Sequence, residues 1–313
     1  TRNLINTPSQ DMAPSHLEAE THALAERFGA QLEVTVGDEL LDRECGAIHA
    51  VGRAAADPPR LMDLTWGDAS HPKITIIGKG VTFDSGGLNI KPGASMRQMK
   101  KDMGGAAIAM GLGYLIMAQG LPVRLRILLP AAENAIAGNA FRPGDILHTH
   151  KGLTVEIDNT DAEGRLLLCD ALSIATEENP QLIVDYATLT GAARVAVGTE
   201  IAAMFCNDAD LSAAISTAAN QIDDPVWPLP LHDDYSYMLS SKVADLVNSP
   251  ASGFAGASTA ALFLKHFTND DIPWLHFDVM AFNARNRPGR PEGGEAMALR
   301  AVYQYLEQRY GNT

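Results

Sequence analysis

Short apolar runs alternate along the chain with longer segments whose apolar residues recur at helical spacing. Runs of β-branched and aliphatic residues predict strands, and apolar positions every three or four residues predict helices. The predicted strands are 31–36, 73–80, 123–130, 154–157, 182–187 and 274–282. The predicted helices are 15–28, 95–118, 164–177, 210–221 and 256–268. This order predicts an α/β fold, a three-layer sandwich whose central mixed, mostly parallel sheet has helices on both faces.

Composition and charge remove several function classes. The chain has 313 residues, 46% of them hydrophobic, and its formal net charge is −14 at pH 7. An acidic chain is unsuited to a broad nucleic-acid interface, which needs clustered lysine and arginine. No stretch reaches the roughly 18 to 20 apolar residues of a membrane helix, and no secretory signal pattern opens the chain. The sequence therefore predicts a cytoplasmic protein with no membrane or nucleic-acid partner.

The cysteines and the proline-rich segments bear on compartment and domain count. Cys45, Cys169 and Cys206 are odd in number and far apart, so they are expected to pack in the core rather than form disulfides. Apolar patterning continues on both sides of the proline-rich segments 57–59 and 225–230. A single domain over residues 1–313 is therefore predicted.

A first candidate carboxylate, Asp84, follows an apolar run and precedes a glycine pair. The run 74–78 leads through Lys79 to Asp84, and Gly86 and Gly87 come directly afterwards. Ligands of parallel sheets bind at the carboxyl ends of strands, where glycines allow a close backbone approach. Asp84 is thus a candidate ligand-binding residue, and the alternative is a turn capped by its side chain.

A second candidate site is a pair of acidic residues two positions apart, Asp161 and Glu163. In extended backbone their carboxylates face the same side, which is costly unless a cation neutralises both. Hard carboxylate ligands favour Zn²⁺, Mn²⁺ or Mg²⁺. The alternative is a helix start, where acidic residues favour the positive end of the dipole, although this explains one carboxylate better than two beside Arg165.

A third candidate, Asp102, precedes the pair Gly104-Gly105 inside the predicted helix 95–118. Glycine in a helix costs about 1 kcal/mol relative to alanine, so the pair indicates close packing against another backbone. Asp102 would then face inward and need a partner. The alternative is a solvated face formed by Lys100, Lys101 and Asp102.

Together these segments resemble the leucyl aminopeptidase family, cytosolic aminopeptidases that use two metal ions. Residues 159–166 read NTDAEGRL, which is similar to the family signature without a substitution, and 78–87 and 90–92 also agree. The resemblance runs from 4–8 to the strand around His276. It implies that residues 1–313 form the family's carboxyl-terminal catalytic domain, without its smaller amino-terminal α/β domain.

The resemblance implies two divalent cations, Mn²⁺ or Zn²⁺. The implied ligands are Lys79, Asp84, Asp102, Asp161 and Glu163. All but Asp161 would bind one ion, and Asp84, Asp161 with its carbonyl, and Glu163 would bind the other. Lys79 can be a ligand only as a neutral amine, so an adjacent cation must lower its pKa strongly.

The resemblance also implies a reaction, hydrolysis of the peptide bond next to a free amino terminus. One cation would take the substrate's α-amine, and the pair would activate the attacking water. Lys91 resembles a catalytic lysine that stabilises the oxyanion, and Arg165 resembles a catalytic position that holds a proton-carrying bicarbonate. Without the resemblance, Lys91 would be a surface lysine in a turn, and Arg165 would pair with Asp161 or Glu163.

Substrate-cleft residues follow from the same motifs. They are Met99, Asn159, Thr188, Leu189 and Gly191. One departure bears on specificity: where the family usually has His-x-Asp-Ile-Ala-Gly, residues 276–281 read HFDVMA, which places a larger Met280 near the pocket for the first side chain.

The nine histidines serve as a control, because none lies in these motifs. His148 and His150 are expected to be loop residues, and His276 a hydrogen-bonded core residue. The chain contains neither His-Glu-x-x-His nor Gly-x-Ser-x-Gly, so it lacks those metalloprotease and serine-hydrolase signatures.

The partners implied by the resemblance are peptides with a free amino terminus and further copies of the chain in a homohexamer. Two other functions stay open. One is a different two-metal hydrolase, such as a dipeptidase or phosphoesterase, and blocking the substrate's amino terminus would distinguish it. The other is the DNA-binding regulatory role of some bacterial members, which the net charge of −14 disfavours.

Overall fold

The fold was analysed in a computed structural model, which describes residues 1–311. The strands are β1 (Gln31–Val36), β2 (Arg60–Trp66), β3 (Lys73–Gly78), β4 (Gly80–Asp84), β5 (Arg124–Asn134), β6 (Ile146–His148), β7 (Thr154–Glu156), β8 (Leu182–Ala187), β9 (Ala202–Cys206), β10 (Val226–Pro228), β11 (Leu246–Val247), β12 (Trp274–Asp278), β13 (Phe282–Asn283) and β14 (Gly293–Gly294). The α-helices are α1 (Arg2–Asn6), α2 (Pro14–Phe28), α3 (Glu39–Asp42), α4 (Gly46–Gly52), α5 (Gly93–Met96), α6 (Gly104–Ala118), α7 (Gly164–Glu177), α8 (Gly191–Val197), α9 (Ala209–Gln221), α10 (Gly256–Lys265) and α11 (Leu299–Tyr310). Short 3₁₀ helices span Ser9–Asp11, Met99–Met103 and Asp233–Leu239.

The large sheet has the strand order β1-β2-β5-β3-β8-β12-β9-β10, with β4 paired to β5. Its centre is parallel, since β3 pairs in parallel with β5 and β8, and β8 with β12. Antiparallel pairs occur at β1–β2, β2–β5 and β9–β12. The predicted mixed, mostly parallel sheet is thus confirmed.

Helices cover both faces of this sheet and enclose two large apolar clusters. One cluster is formed with α2, α6, α9 and α11. The other is formed with α4, α7 and α10. Central strands are apolar on both faces, as in β8, where all six residues are buried. This confirms the three-layer α/β sandwich.

Six predicted elements match the structure within about one residue, and five differ more. Strand 123–130 continues to Asn134 in β5, and helix 256–268 already ends at Lys265 in α10. The predicted helix 95–118 is divided into α5, the 3₁₀ helix Met99–Met103 and α6. Helix α6 begins at Gly104, and the Ala106 N–H in its first turn donates to the Lys79 carbonyl. The predicted strand 73–80 is interrupted at Lys79, and 274–282 ends at Asp278, shortly before Ala281 takes the left-handed conformation, φ +55°.

The Gly104-Gly105 pair allows the start of α6 to approach the sheet closely. The free-energy cost of two glycines in a helix had indicated such close packing. A Cβ atom added at Gly105 would lie 2.1 Å from the Tyr186 carbonyl oxygen on β8. One added at Gly78, on β3, would lie 2.5 Å from the Cα of Ala106. These distances are too short for any side chain, so helix and strands meet backbone to backbone.

Gly105→Ala is therefore expected to lower the free energy of unfolding by about 2 kcal/mol, within the usual range for overpacking. Urea unfolding of the variant and the wild type measures the difference. Gly138→Ala is the matched control, because no atom of the described residues beyond its chain neighbours lies within 4 Å of a Cβ at that position. Equal stability of the two variants would contradict the close helix–sheet contact.

Helix α4 is anchored by a buried carboxylate from α7. Asp170 is fully buried, and its Oδ2 accepts hydrogen bonds from the N–H groups of Ala47 and Ile48, each at 3.0 Å. Its Oδ1 accepts one from the His150 N–H at 2.9 Å. Burial raises the pKa of Asp170 to about 6. The residue satisfies donors that the first turn of a helix cannot satisfy internally.

Two of the three cysteines lie in the core, as predicted. Cys45 and Cys169 are buried free thiols, as expected, but Cys206 is only half-buried, because it ends β9 next to the loop before α9. Among the helices of residues 1–311, none is long and apolar enough to cross a membrane.

Candidate active site

The candidate site lies where β3, β4 and β8 end, beside the 3₁₀ helix Met99–Met103 and the segment that enters α7. Ligands of open α/β sheets bind at this edge. A cavity of about 260 Å³ opens here. Its lining residues are Lys79, Asp84, Lys91, Pro92, Ser95, Met99, Lys101, Asp102, Asp161, Glu163, Thr188, Leu189, Thr190, Gly191 and Arg194. All five predicted metal ligands are therefore brought together in one cavity.

Lys79 lies at the break between β3 and β4, and its side chain is buried among acceptors. Its Nζ is 2.7 Å from Asp102 Oδ2 and 2.8 Å from Glu163 Oε1, and it donates to the Thr188 carbonyl at 3.1 Å. Burial by itself lowers the pKa of Lys79, but Asp102 and Glu163 outweigh it and raise the pKa above the ordinary value. In the protein alone this lysine is an ammonium, and a metal would have to displace its proton.

Lys91 bridges the other two acidic side chains. Its Nζ lies 2.7 Å from Asp84 Oδ2 and 2.5 Å from Asp161 Oδ1. Partial burial lowers its pKa, but Asp84 and Glu163 together with these contacts raise it overall. Lys91 is therefore a fixed positive charge at the cavity wall rather than a solvated turn residue.

Three carboxylates, those of Asp84, Asp161 and Glu163, offer oxygen atoms that all lie within 4.8 Å of one another. Burial and then the charge of Asp84 raise the pKa of Glu163 to about 8, and the same two causes raise the pKa of Asp161. The cluster therefore holds more negative charge than its surroundings stabilise.

Asp84 and Asp102 are fixed by neighbours that the sequence analysis did not single out for this role. The Gly86 N–H and Asn134 Nδ2 each donate to Asp84 Oδ1 at 2.9 Å, and Asn134 is fully buried. Thr188 Oγ1 donates to Asp102 Oδ1 at 2.7 Å. Burial raises the pKa of Asp102, but Lys79 and Lys101 lower it overall.

The donor set fits divalent cations. Four carboxylates converge on one cavity. Among the described residues, Asp102 Oδ2 and Asp161 Oδ1 accept no hydrogen bond of normal geometry, although each contacts a lysine ammonium. Oxygen-rich sites with one nitrogen donor suit Mn²⁺ or Zn²⁺ and require Lys79 to be deprotonated.

Comparison with known proteins gives the family. The sequence profile described as "Cytosol aminopeptidase family, catalytic domain" matches residues 1–303. The chain belongs to this family.

Relatives and solved structures of the cytosol aminopeptidase family are similar over nearly the whole chain. The probable cytosol aminopeptidase of Nitratidesulfovibrio vulgaris is 44% identical over 314 residues, which cover 98% of this chain and 62% of that protein. The crystal structure of the cytosol aminopeptidase from Coxiella burnetii is 55% identical with a TM-score of 0.97, covering 99% of this chain and 67% of that one. The bottromycin maturation enzyme BotP, solved in complex with Mn, is 37% identical with a TM-score of 0.94, covering 98% and 69%. The chain thus spans about three fifths of the length of the curated relatives it matches.

Of the cleft residues expected from the family motifs, four line the cavity and one does not. Met99, Thr188, Leu189 and Gly191 line it. Asn159 lies behind it, where its Oδ1 accepts a hydrogen bond from the Asp161 N–H at 2.8 Å and thereby shapes the loop.

Met280, the departure from the family pattern, is not among the residues that line this cavity. It is half-buried and packs against the core cluster that contains α6. In the described part of the chain, Met280 thus lies outside the lining of the cavity, because its side chain packs against this core cluster.

Arg165 is buried next to the site but outside the cavity lining. Its Nη1 donates to the Asn248 carbonyl, and its guanidinium lies 5.9 Å from the ring centroid of Phe263. Its Nε has no hydrogen-bond partner among the described residues. Within residues 1–311 it forms no ion pair with Asp161 or Glu163. Burial lowers its pKa to about 10.

The cleft turn 188–191 is held from behind by Asp278, on β12. Asp278 accepts hydrogen bonds from the Leu189 N–H at 3.0 Å, the Thr190 N–H at 3.2 Å and Thr190 Oγ1 at 2.6 Å. The sequence signal was available, because an acidic residue in an apolar strand needs such a partner.

Two cavity-lining cations, Lys101 and Arg194, were not predicted as site residues. Lys101 is 1% exposed, and its Nζ lies 3.9 Å from Asp102 Oδ1. Burial lowers the pKa of Lys101 to about 8. The predicted alternative of a solvated Lys-Lys-Asp face is wrong for residues 101 and 102, because both side chains are buried.

His150 and His276 lie where the sequence predicted, but His148 ends β6 rather than lying in a loop, because it pairs with Thr154 on β7. His148 is exposed, and the His150 ring bonds to the Arg43 carbonyl and to Glu177. His276 is buried, with Nδ1 2.5 Å from Asp185 Oδ1. None of the nine lines the cavity in the described part of the chain.

Proposed function

We propose that this chain is the catalytic part of a metal-dependent aminopeptidase that removes the amino-terminal residue from peptides. The observation that carries the proposal is the single cavity in which Lys79, Asp84, Asp102, Asp161 and Glu163 converge. Family membership supports it.

These five residues would hold two divalent cations. Asp84 and Glu163 are the bridging candidates, because they belong to both proposed ligand sets, and with Asp161 they form one cluster whose oxygens lie within 4.8 Å of one another. The Mn complex of BotP supports Mn²⁺, and the donor set also suits Zn²⁺. When bound, such a pair supplies a strong electrophile that binds the substrate's α-amine and carbonyl and makes water a nucleophile.

Lys91 would stabilise the negative charge that develops on the scissile carbonyl oxygen. It is an ammonium at the cavity wall, held between Asp84 and Asp161. A donor fixed before the reaction stabilises an oxyanion without reorganisation. Asp84 and Asp161 are thereby also positioning residues for Lys91.

Arg165 is our second proposed catalytic position. Its unpartnered, buried Nε fits an anion such as bicarbonate, which would supply a base that carries a proton to the leaving amine. Met99, Asn159, Thr188, Leu189 and Gly191 are proposed to shape the substrate cleft, Asn159 through the loop it supports.

The whole protein is proposed to work in the cytoplasm as a homohexamer. The names of the curated relatives, cytosol aminopeptidases, support the compartment. Peptides with a free amino terminus are the proposed substrates.

Metal removal tests the proposal. Treatment with EDTA is expected to lower hydrolysis of leucyl and methionyl p-nitroanilides by about a hundredfold or more, and Mn²⁺ or Zn²⁺ to restore it, because the cations activate the nucleophile. Amino-terminally acetylated substrates serve as the control and should not be cleaved. Hydrolysis that survives the chelator, or equal cleavage of acetylated substrates, would contradict the proposal.

A further inference from the structure

One side of the cavity carries two cations that the proposed reaction does not use. Lys101 and Arg194 both line it, beside Thr190 and Gly191. Within residues 1–311 neither side chain makes a hydrogen bond, and Arg194 forms no ion pair. Lys101 is 1% exposed, so its side chain is buried except towards the cavity that it lines.

Asp102 is only a distant ion-pair partner of Lys101. Its Oδ1 accepts the hydroxyl of Thr188 at 2.7 Å, and its Oδ2 lies 2.7 Å from Lys79 Nζ, whereas Lys101 Nζ remains 3.9 Å away. Asp102 already interacts closely with Lys79 and is a proposed metal ligand, so it stabilises the more distant Lys101 ammonium only weakly. Among the described residues, the ammonium of Lys101 therefore has one long ion-pair contact, with Asp102, and no hydrogen bond.

Arg194 adds a second donor at the same wall. It lies on α8, and a Cβ atom added at Gly191 would be 3.5 Å from its Nη2, so the guanidinium lies next to this glycine. A planar guanidinium and an ammonium on one wall are a typical arrangement for binding a carboxylate.

We propose that the side chain of the first substrate residue is acidic, and that Lys101 and Arg194 bind its carboxylate. The inference rests on the proposed aminopeptidase function. The buried position of Lys101 favours contact with the side chain of the first substrate residue over contact with the rest of the peptide. The rest of the peptide must leave through the open side of the cavity. An aliphatic side chain would bury the ammonium of Lys101 without giving it a partner, which disfavours a leucine preference.

The test compares glutamyl, glutaminyl and leucyl p-nitroanilides with the metal-loaded chain. Glutamyl and glutaminyl substrates have the same shape, so their ratio of kcat/KM isolates the charge. We expect a ratio of about ten or more in the wild type, as charge-assisted hydrogen bonds give. Lys101→Met, which preserves length and suits the core, is expected to lower this ratio about tenfold, and Arg194→Met to lower it as well.

Lys100→Met is the matched control. It removes the same charge one residue away, where Lys100 Nζ donates to the Asn6 carbonyl at 2.6 Å outside the cavity lining. Its glutamyl-to-glutaminyl ratio should equal that of the wild type. The wild-type ratio decides the proposal even where a variant does not fold.

Three outcomes would overturn the inference. The first is a wild type that prefers leucyl or glutaminyl substrates. The second is a glutamyl-to-glutaminyl ratio that Lys101→Met leaves unchanged. Both results leave the aminopeptidase proposal intact. Faster cleavage of the dipeptide leucyl-glycine than of its amide, lost in Lys101→Met, would assign the cations to a substrate's terminal carboxylate instead. If no amino-terminally free substrate is cleaved, the proposed function itself fails.

Discussion

Asp161→Asn is expected to lower kcat/KM for p-nitroanilide hydrolysis by about a thousandfold, equivalent to about 4 kcal/mol of transition-state stabilisation. Asp161 contributes to the carboxylate cluster and also contacts Lys91 at 2.5 Å. An amide has the same shape but no charge. The variant should therefore bind the cation more weakly and fix the Lys91 ammonium less firmly. Half-buried Asp161 can be changed with less risk to folding than buried Asp84 or Glu163.

The measurements are the steady-state rate and the metal content per chain after dialysis. Asp158→Asn provides the control, because Asp158 is exposed and lies three residues earlier in the same segment. It should retain the rate and the metal of the wild type. An Asp161→Asn variant that keeps its metal and more than a tenth of its rate would show that this carboxylate is not a ligand.

Asp170→Ala is expected to lower the free energy of unfolding by about 3 kcal/mol or more. It leaves the buried N–H groups of Ala47, Ile48 and His150 without acceptors, and each unsatisfied buried donor costs about 1 to 3 kcal/mol. Denaturant unfolding should be measured well above pH 6, where Asp170 is ionised, because burial raises its pKa to about 6.

Two further variants make the Asp170 result specific. Asp170→Asn keeps one acceptor oxygen and should lose about half as much stability as the alanine variant. Asp42→Ala removes an exposed carboxylate of neighbouring α3 and should change little. Equal losses for Asp170→Ala and Asp42→Ala would show that Asp170 does not anchor α4.

The sequence predicted those elements whose pattern is local. Strand β8 and helix α7 have the predicted bounds, since one is uniformly apolar and the other has a regular apolar face. The break of 95–118 before α6 could not be predicted, because it depends on the Lys79 carbonyl accepting a hydrogen bond from Ala106, which only the packed sheet supplies. The interruption at Lys79 has the same origin.

The site shows the same division between local motif and long-range contact. Motif residues such as Asp84 and Glu163 were predicted by their position in the sequence, and the structure brings them together. Asn134 was missed, because its partner Asp84 lies 50 residues away. For Asp278 the apolar strand indicates that a partner is needed, but not which one, since Leu189 lies 89 residues away. Lys100 and Lys101 are adjacent and identical, so only the fold shows that Lys101 enters the cavity.

Lys79 contacts residues that are far away in the sequence, and these contacts link metal binding at the site to the stability of the fold. Lys79 meets Thr188, 109 residues later, only when β3 and β8 are paired. Cations bound at the proposed site would therefore bind the folded chain and not the unfolded one. At a hundred times the dissociation constant this adds about 2.7 kcal/mol to the free energy of unfolding. Removal of the cations would then raise the unfolded fraction of the chain about a hundredfold, and with it the susceptibility of the chain to proteolysis.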